Sequence, residues 1–233
     1  MKQITTLTFF KYRGLKEKIW AFGMMQFAHI PLSKVDGLSF YKLMGSGREG
    51  FNPFPDWSVY GLLQVWENED AADVFLNSSK LMLGYKKHSE EQWTIFLKCL
   101  VSKGQWSAQN PFKRSTAIAE NNPYIAVVTR ATIKLHLLIK FWKYVPISQK
   151  PLLKNKGLLF TKGIGEVPIV QMATFSIWKD KESLIEFAYT SKAHRKAIEK
   201  TQKLNWYKEE LFSRFQPYRS LGQWNGKNPL HKL

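Results

Sequence analysis

Five histidines and one cysteine carry the widest chemical repertoire in this sequence. Their spacing builds no metal cage and no nucleophile elbow. The chain has no His-Glu-x-x-His, no Cys-x-x-Cys and no Gly-x-Ser-x-Gly, so protein-ligated zinc and serine hydrolysis find no support. A buried cofactor brought in from outside stays open, because it needs only one axial ligand from the chain. The histidines are therefore ranked individually. His194 follows Phe187 by seven residues and precedes Ile198 by four, so on a helix all three share one face. A histidine on an apolar face is either a hydrogen-bonded core residue or a ligand, and spacing alone does not choose between them. His29 falls near a helix end beside Pro31. His136 lies on a lysine-bearing face, His88 follows Lys86 and Lys87, and His231 sits in the C-terminal tail.

Two further motifs read as structure. Cys99, within Phe96-Leu97-Lys98-Cys99-Leu100-Val101, fits a strand and a small core side chain. As the sole cysteine it can form no intrachain disulfide, which suits a reducing compartment. Gly45-Ser46-Gly47-Arg48-Glu49-Gly50 matches G-x-G-x-x-G, yet Phe51-Asn52-Pro53-Phe54-Pro55 follows. A dinucleotide fingerprint must open a helix, and two prolines forbid one. A glycine-rich hairpin connection is the reading.

The elements that would position these residues recur. Gly104-Gln105-Trp106 through Asn110-Pro111 returns as Gly222-Gln223-Trp224 through Asn228-Pro229, an offset of 118 (224 − 106). Gly45-Ser46-Gly47 and Gly163-Ile164-Gly165 share that offset. Trp66 and Phe75 pair with Trp178 and Phe187 at 112 (178 − 66), so compensating insertions separate two copies of one unit. Each copy reads as a strand (Ile4 to Tyr12; Tyr124 to Ile133), then a helix (Ile19 to Ile30; Leu135 to Trp142). A strand (Leu38 to Met44; Leu158 to Lys162) and another (Ser58 to Trp66; Pro168 to Trp178) follow. An acid-led helix comes next, from Glu67-Asn68-Glu69-Asp70 or Asp180-Lys181-Glu182 to near Trp93 or Trp206. A last strand leads into the Gly-Gln-Trp tail. The order is β-α-β-β-α-β, twice. The expected organisation is residues 1–112 as a first ferredoxin-like repeat, 113–123 as a linker and 124–233 as a second repeat, together one structural unit. The open sheet faces of two such repeats would pack together and enclose a pocket.

A net charge of +17 points to an anionic partner. The Lys and Arg form no run of five or six, so an ordinary basic surface is an equal alternative. Tandem βαββαβ units also describe paired RNA-recognition motifs. Neither Val59-Tyr60-Gly61-Leu62-Leu63-Gln64-Val65-Trp66 nor Ile169 to Trp178 carries the basic-Gly-aromatic motif of that fold, however, and no nucleic-acid partner is expected. The most apolar stretch, Ile19 to Leu32, falls short of the roughly 20 residues a bilayer span needs. The N-terminus lacks a signal-peptide plan. A cytoplasmic protein, peripheral at the inner face of the membrane, is the expectation.

Across nearly its whole length the chain resembles the spheroidene monooxygenase family. The carriers include Trp20-Ala21-Phe22, Lys42-Leu43-Met44-Gly45-Ser46-Gly47, Pro55-Asp56-Trp57 and Trp93-Thr94-Ile95-Phe96-Leu97. Further on they are Thr129-Arg130-Ala131-Thr132, Gly163-Ile164-Gly165-Glu166-Val167-Pro168, Thr174 to Trp178, His194 to Ile198 and Trp206 to Phe215. The resemblance implies an α+β fold of tandem ferredoxin-like βαββαβ repeats forming a fused dimeric α+β barrel. It implies haem b as cofactor, O2 as co-substrate and a ferredoxin-type electron donor. The implied reaction is hydroxylation, with or without oxidation on to a ketone, at C-2 of the ψ-end of an acyclic or monocyclic carotenoid. Such a hydroxylation requires no acid–base pair of side chains, consistent with the missing triad. The resemblance also makes His194 the axial ligand candidate. His29 is next in line should His194 fail, and Arg130 and Lys42 are candidates to pair with haem propionates by charge and strand placement. The alternative is a non-catalytic haem or carotenoid binding protein with the same pocket.

Overall fold

The structure, a computed structural model, describes residues 3–48, 54–143, 152, 155–190, 205–231 and 233. Eight strands form one closed antiparallel barrel: β1 (Ile4–Lys11), β2 (Leu38–Gly47), β3 (Pro55–Trp66), β4 (Glu91–Gly104), β5 (Ile125–Ile133), β6 (Leu158–Val167), β7 (Gln171–Trp178) and β8 (Tyr207–Gly222). Around the barrel they run β1-β3-β2-β6-β7-β5-β8-β4. The first four strands are thus ordered β4-β1-β3-β2 and the last four β8-β5-β7-β6. Matching positions pair alike: Ile4 faces Trp66 and Ile125 faces Trp178. Two seams close the ring. One is short, Gly45 with Gly165 and Ser46 with Ile164; the other runs from Trp93↔Gly222 to Gly104↔Leu211.

Helices pack outside. Among them are α1 (Leu15–Phe27), α2 (His29–Leu32), α3 (Glu69–Ser78), α4 (Lys80–His88) and α5 (Lys181–Thr190), with a 3-10 helix at Leu135–Leu137 leading into helical residues 138–143. The acids read as a helix start do begin α3, where the Asn68 side chain caps the Ala71 N–H at 2.9 Å. That helix does not run on to Trp93 as expected. It stops at Ser79, whose hydroxyl accepts from the Met82 N–H and starts α4. In Asn77-Ser78-Ser79 short polar side chains compete for the backbone and favour a restart over an interior turn.

Period-two alternation sorts the core. On β1, Leu7 and Phe9 face the barrel interior, and Ile4 and Phe10, with Tyr12 just past the strand, face the helices. The outer layer joins those residues to Ala21, Leu32, Phe75 and Tyr85. Trp66 packs on Phe75 and Trp178 on Phe187, both at 5.3 Å between ring centroids. The interior is filled. Phe9 meets Phe160 at 5.2 Å, Trp224 at 5.7 Å and Phe175 at 5.9 Å, and Trp93 meets Phe160 at 4.8 Å. Aromatic rings thus occupy the space between the two sheet faces where the pocket was expected. An eight-stranded barrel leaves an interior just wide enough for its own side chains, and aromatic ones occupy it. Cys99 is buried in this core, and burial pushes its thiol up to about 11.

The two Gly-Gln-Trp segments form matching turns. Trp106 donates its N–H to Gln109 at 2.6 Å, and Trp224 donates to Lys227 at 2.7 Å. Both central residues of each turn are left-handed: Ser107 and Ala108 at φ 57° and 62°, Asn225 and Gly226 at 53° and 73°. Each turn is clamped by a carboxylate from the other half. Glu209 accepts from the Ser107 N–H at 3.0 Å and the Ala108 N–H at 2.8 Å. Glu91 accepts from Asn225 at 2.9 Å and Gly226 at 2.6 Å. A left-handed conformation costs a non-glycine residue about 1–2 kcal/mol, and the two charge-assisted bonds offset it.

Candidate active site

A pocket of about 770 Å³ opens outside the barrel, between α1, the start of α2 and strand β2. Phe22, Gly23, Met25, Gln26 and Phe27 of α1 supply one wall, and Tyr41, Lys42 and Leu43 of β2 the other. His29 and Glu166 close the ends. The wall is mostly apolar, with a few polar groups converging on it, the composition of a site for an apolar ligand with a polar handle. His29 Nδ1 lies 3.1 Å from the Tyr41 hydroxyl, a contact that orients the ring and leaves Nε2 for another partner.

Glu166 joins this pocket to the barrel end behind it. Its Oε1 lies 2.9 Å from Lys42 Nζ, and its Oε2 accepts the Trp106 indole N–H at 2.7 Å. Lys42 Nζ also donates to the Ser107 hydroxyl at 2.7 Å. Arg130 lies deeper, its side chain 3% exposed, paired with Glu209 and 3.7 Å from Glu166. Its guanidinium sits 5.7 Å from the centre of the Trp106 ring. The register explains its burial. Phe9 faces Gly61 and Trp93, and Arg130 faces Ala173 and Leu211 at the matching place in the second half. An inward position that holds an aromatic ring in one half holds a cation in the other. Burial alone would raise the Glu209 carboxyl, but the N–H groups of Ala108 and Ser107, with Arg130, outweigh it and hold the group below the usual carboxylate range. Glu91 is depressed in the same way: the N–H groups of Gly226 and Asn225, with Lys11, outweigh its burial.

The two cations picked from the sequence are thus brought together, through Glu166. Both charges are met within the chain, Lys42 by Glu166 and Arg130 by Glu209 and Glu166, but Lys42 also lines the pocket. His29 lines the pocket as well. His194 and Ile198 lie outside the described residues; of their expected face, Phe187 is seen against Trp178. Glu209 was not among the sequence candidates. Its signal was present all the same, because Glu91 and Glu209 stand 118 residues apart (209 − 91), the offset between the two Gly-Gln-Trp segments. Among the described residues no three His, Cys, Asp or Glu side chains converge as metal ligands.

No protein-family model matches the chain. It is 36% identical over 231 residues to a spheroidene monooxygenase of Rhodobacter capsulatus, covering 97% of this chain and 95% of the relative. A spheroidene monooxygenase of Cereibacter sphaeroides is 35% identical over 98% of this chain and 71% of its own length. One from Rubrivivax gelatinosus is 30% identical over 90% and 80%. Among solved structures, an aldoxime dehydratase in complex with butyraldoxime superposes with a TM-score of 0.62, covering 93% of this chain and 79% of its own at 8% identity. A second aldoxime dehydratase gives 0.58, with 94% and 83% covered at 10% identity. At these identities the likeness is one of fold. Identity of 30% or more over at least 90% of this chain, three times over, carries the assignment: the chain belongs to the spheroidene monooxygenase family and is a monooxygenase of the oxidoreductase class.

Proposed function

We propose that the protein is a haem-dependent carotenoid monooxygenase acting at C-2 of the ψ-end of an acyclic or monocyclic carotenoid, adding a hydroxyl with or without further oxidation to a ketone. Dioxygen is the co-substrate and a ferredoxin-type protein the electron donor. The family assignment supports the monooxygenase chemistry and, through the substrate in its relatives' names, a polyene substrate. The pocket supports a bulky apolar ligand with a charged end. Its 770 Å³ and its wall of Phe22, Met25, Phe27 and Leu43 suit a flat macrocycle or the end of a long polyene. The donor set on the same wall fits haem: an imidazole, His29, and a cation, Lys42, for a propionate. Bound haem would supply dioxygen activation. The chain's own residues supply an apolar wall against the ligand and place charge at one end. Arg130 supports that end from behind by holding Glu166 and Glu209. The axial ligand is His194 in the reading from resemblance and His29 in the reading from the pocket.

The equal strand order of the two halves supports a duplicated ferredoxin-like βαββαβ unit fused into one α+β barrel. The observation that carries the function is the apolar pocket with His29 and Lys42 on its wall, within a spheroidene monooxygenase family member. A visible spectrum of the purified protein tests the cofactor, with a Soret band as the expected result. His194→Ala and His29→Ala then choose the ligand, since only loss of the true one abolishes or shifts the band. Co-expression in a carotenoid-producing host tests the reaction. An unchanged pigment profile, with haem bound and a competent reductase present, would overturn it in favour of a binding protein.

A further inference from the structure

Helix α1 is apolar on two opposite faces. Trp20, Ala21, Met24 and Met25 pack against the outer side of the sheet. Leu15, Ile19 and Phe22 point away from it and are 75%, 62% and 56% exposed. Steps of four and three residues align them in one stripe along the helix. A helix with apolar side chains all round is normally buried all round, and here the outer stripe is left uncovered. Trp57, half-exposed on β3, widens the stripe by meeting the Phe22 ring edge-on at 5.3 Å.

The charges beside the stripe are mostly basic. Lys16 and Lys18 flank it on the helix, and Arg13 stands just before it, its side chain 85% exposed and 3.6 Å from Glu90. Glu17, the one acid of α1, is turned to His88 at 2.6 Å. We propose that this face is a membrane-docking surface. Helix α1 lies along an anionic bilayer, Leu15, Ile19, Phe22 and Trp57 enter the headgroup–acyl boundary, and Arg13, Lys16 and Lys18 meet the headgroups. Apolar and aromatic side chains on one face, edged by Lys and Arg, are the make-up of helices that lie in that boundary. Charge selects the bilayer over a second copy of the chain: self-association would set +17 against +17 and lysines against lysines, whereas each cation near an anionic surface is attracted.

The same face holds the mouth of the pocket, because Phe22 belongs to both the stripe and the pocket wall and Gln26, one turn on, lines the pocket. A ligand dissolved in the bilayer would enter without crossing water. This delivery step rests on the carotenoid reading; the docking does not.

The test is flotation of the full chain with vesicles of phosphatidylglycerol and phosphatidylcholine, against vesicles of phosphatidylcholine alone. Binding to the anionic vesicles that falls with added salt is expected. L15S/I19S should weaken it by roughly tenfold or more, and K16E/K18E should weaken it on anionic vesicles alone. The pair L135S/I139S, equally exposed but on the second half of the barrel, should bind as wild type. Three results would overturn the proposal: no binding to anionic vesicles, equal loss in both serine pairs, or a dimer that L15S/I19S dissolves without any vesicle binding. Substrate form separates the two readings. L15S/I19S should oxidise detergent-dispersed carotenoid at the wild-type rate and vesicle-embedded carotenoid more slowly. Wild-type protein that binds vesicles through this face but oxidises neither form upholds docking and removes the oxygenase reading.

Discussion

Glu209 and Glu91 hold the same place in the two halves, yet their removal should have different consequences. Each carboxylate accepts two backbone N–H groups of a left-handed turn and pairs with one cation. The turn donors are exposed in both cases, so water replaces the lost bonds alike and that part of the loss cancels. The cations differ. Lys11 is 32% exposed and keeps Asn225 Oδ1 at 2.9 Å, whereas Arg130 is 3% exposed and keeps only Glu166, at 3.7 Å, as a charged partner. Breaking an exposed pair costs about 0–1 kcal/mol. Stranding a buried cation costs about 3–5 kcal/mol. Glu166 remains and Glu209 itself touches solvent, so the stranding falls to about 1–3 kcal/mol, and with about 1 kcal/mol for the exposed hydrogen bonds about 2–4 kcal/mol is expected for Glu209→Ala. With about 1 kcal/mol for the exposed hydrogen bonds, Glu91→Ala comes to about 1–2 kcal/mol. The assay is urea unfolding followed by tryptophan fluorescence. At a slope of roughly 3 kcal/mol per molar, the Glu209→Ala midpoint should lie roughly 0.5 M below that of Glu91→Ala. Removing the stranded cation should recover part of the loss, so R130M/E209A should exceed Glu209→Ala in stability. Equal midpoints, or a double variant no better than the single, would refute the assignment of the difference to Arg130.

Three other outcomes follow from the geometry. Gly104→Ala and Gly222→Ala should each destabilise by more than the roughly 1–2 kcal/mol of a left-handed alanine, because φ is 92° and 81° and a Cβ would lie 2.2 Å from the Glu210 carbonyl oxygen or 2.1 Å from that of Gln92; thermal melts of both variants check this. Glu91, Glu209 and Asp56 all have folded values below their unfolded ones of about 4, so their stabilisation is present above that pH and is lost as pH falls through the folded values; the acid limb of the stability curve should flatten in E91Q/E209Q, and an unchanged limb would contradict the clamp. Phe9→Ala should cost about 3–5 kcal/mol in chemical denaturation, as expected of a packed interior, and a cost below about 1 kcal/mol would mean the barrel interior is open.

Much of the architecture was legible because it rests on local signals. The alternation of β1 and the paired Trp–Phe contacts of the two halves are written within short windows, and Trp106 and Trp224 do occupy matching turns. One equivalence shifted. The sequence aligns Gly45 with Gly163, but Gly45 faces Tyr60 while Gly165 faces Met172 at the matching place on β7. A Gly-x-Gly pattern maps onto itself after a slip of two residues, and two residues is one full pleat, so the side-chain faces agree in either register. Nothing in the pattern could choose; the ladder with β3 and β7 does.

The site was harder to read for a different reason. Lys42 and Arg130 were found by charge on a strand, but what they do depends on Glu166 and Glu209, whose contacts with them span the two halves or two strands far apart in sequence. Periodicity says which face of a strand a residue occupies and says nothing about what stands opposite. The pocket escaped for a related cause. Its expected position followed from two open sheet faces meeting, and those faces do meet, but Phe9, Trp93, Phe160 and Trp224 fill the space. A pocket lies instead outside the barrel, beneath a helix that carries apolar side chains on its outer face as well. That outer face was visible in Leu15, Ile19 and Phe22 as a second apolar stripe opposite the first. An ordinary surface helix has no use for it; a helix between a protein pocket and a lipid surface must be apolar towards both.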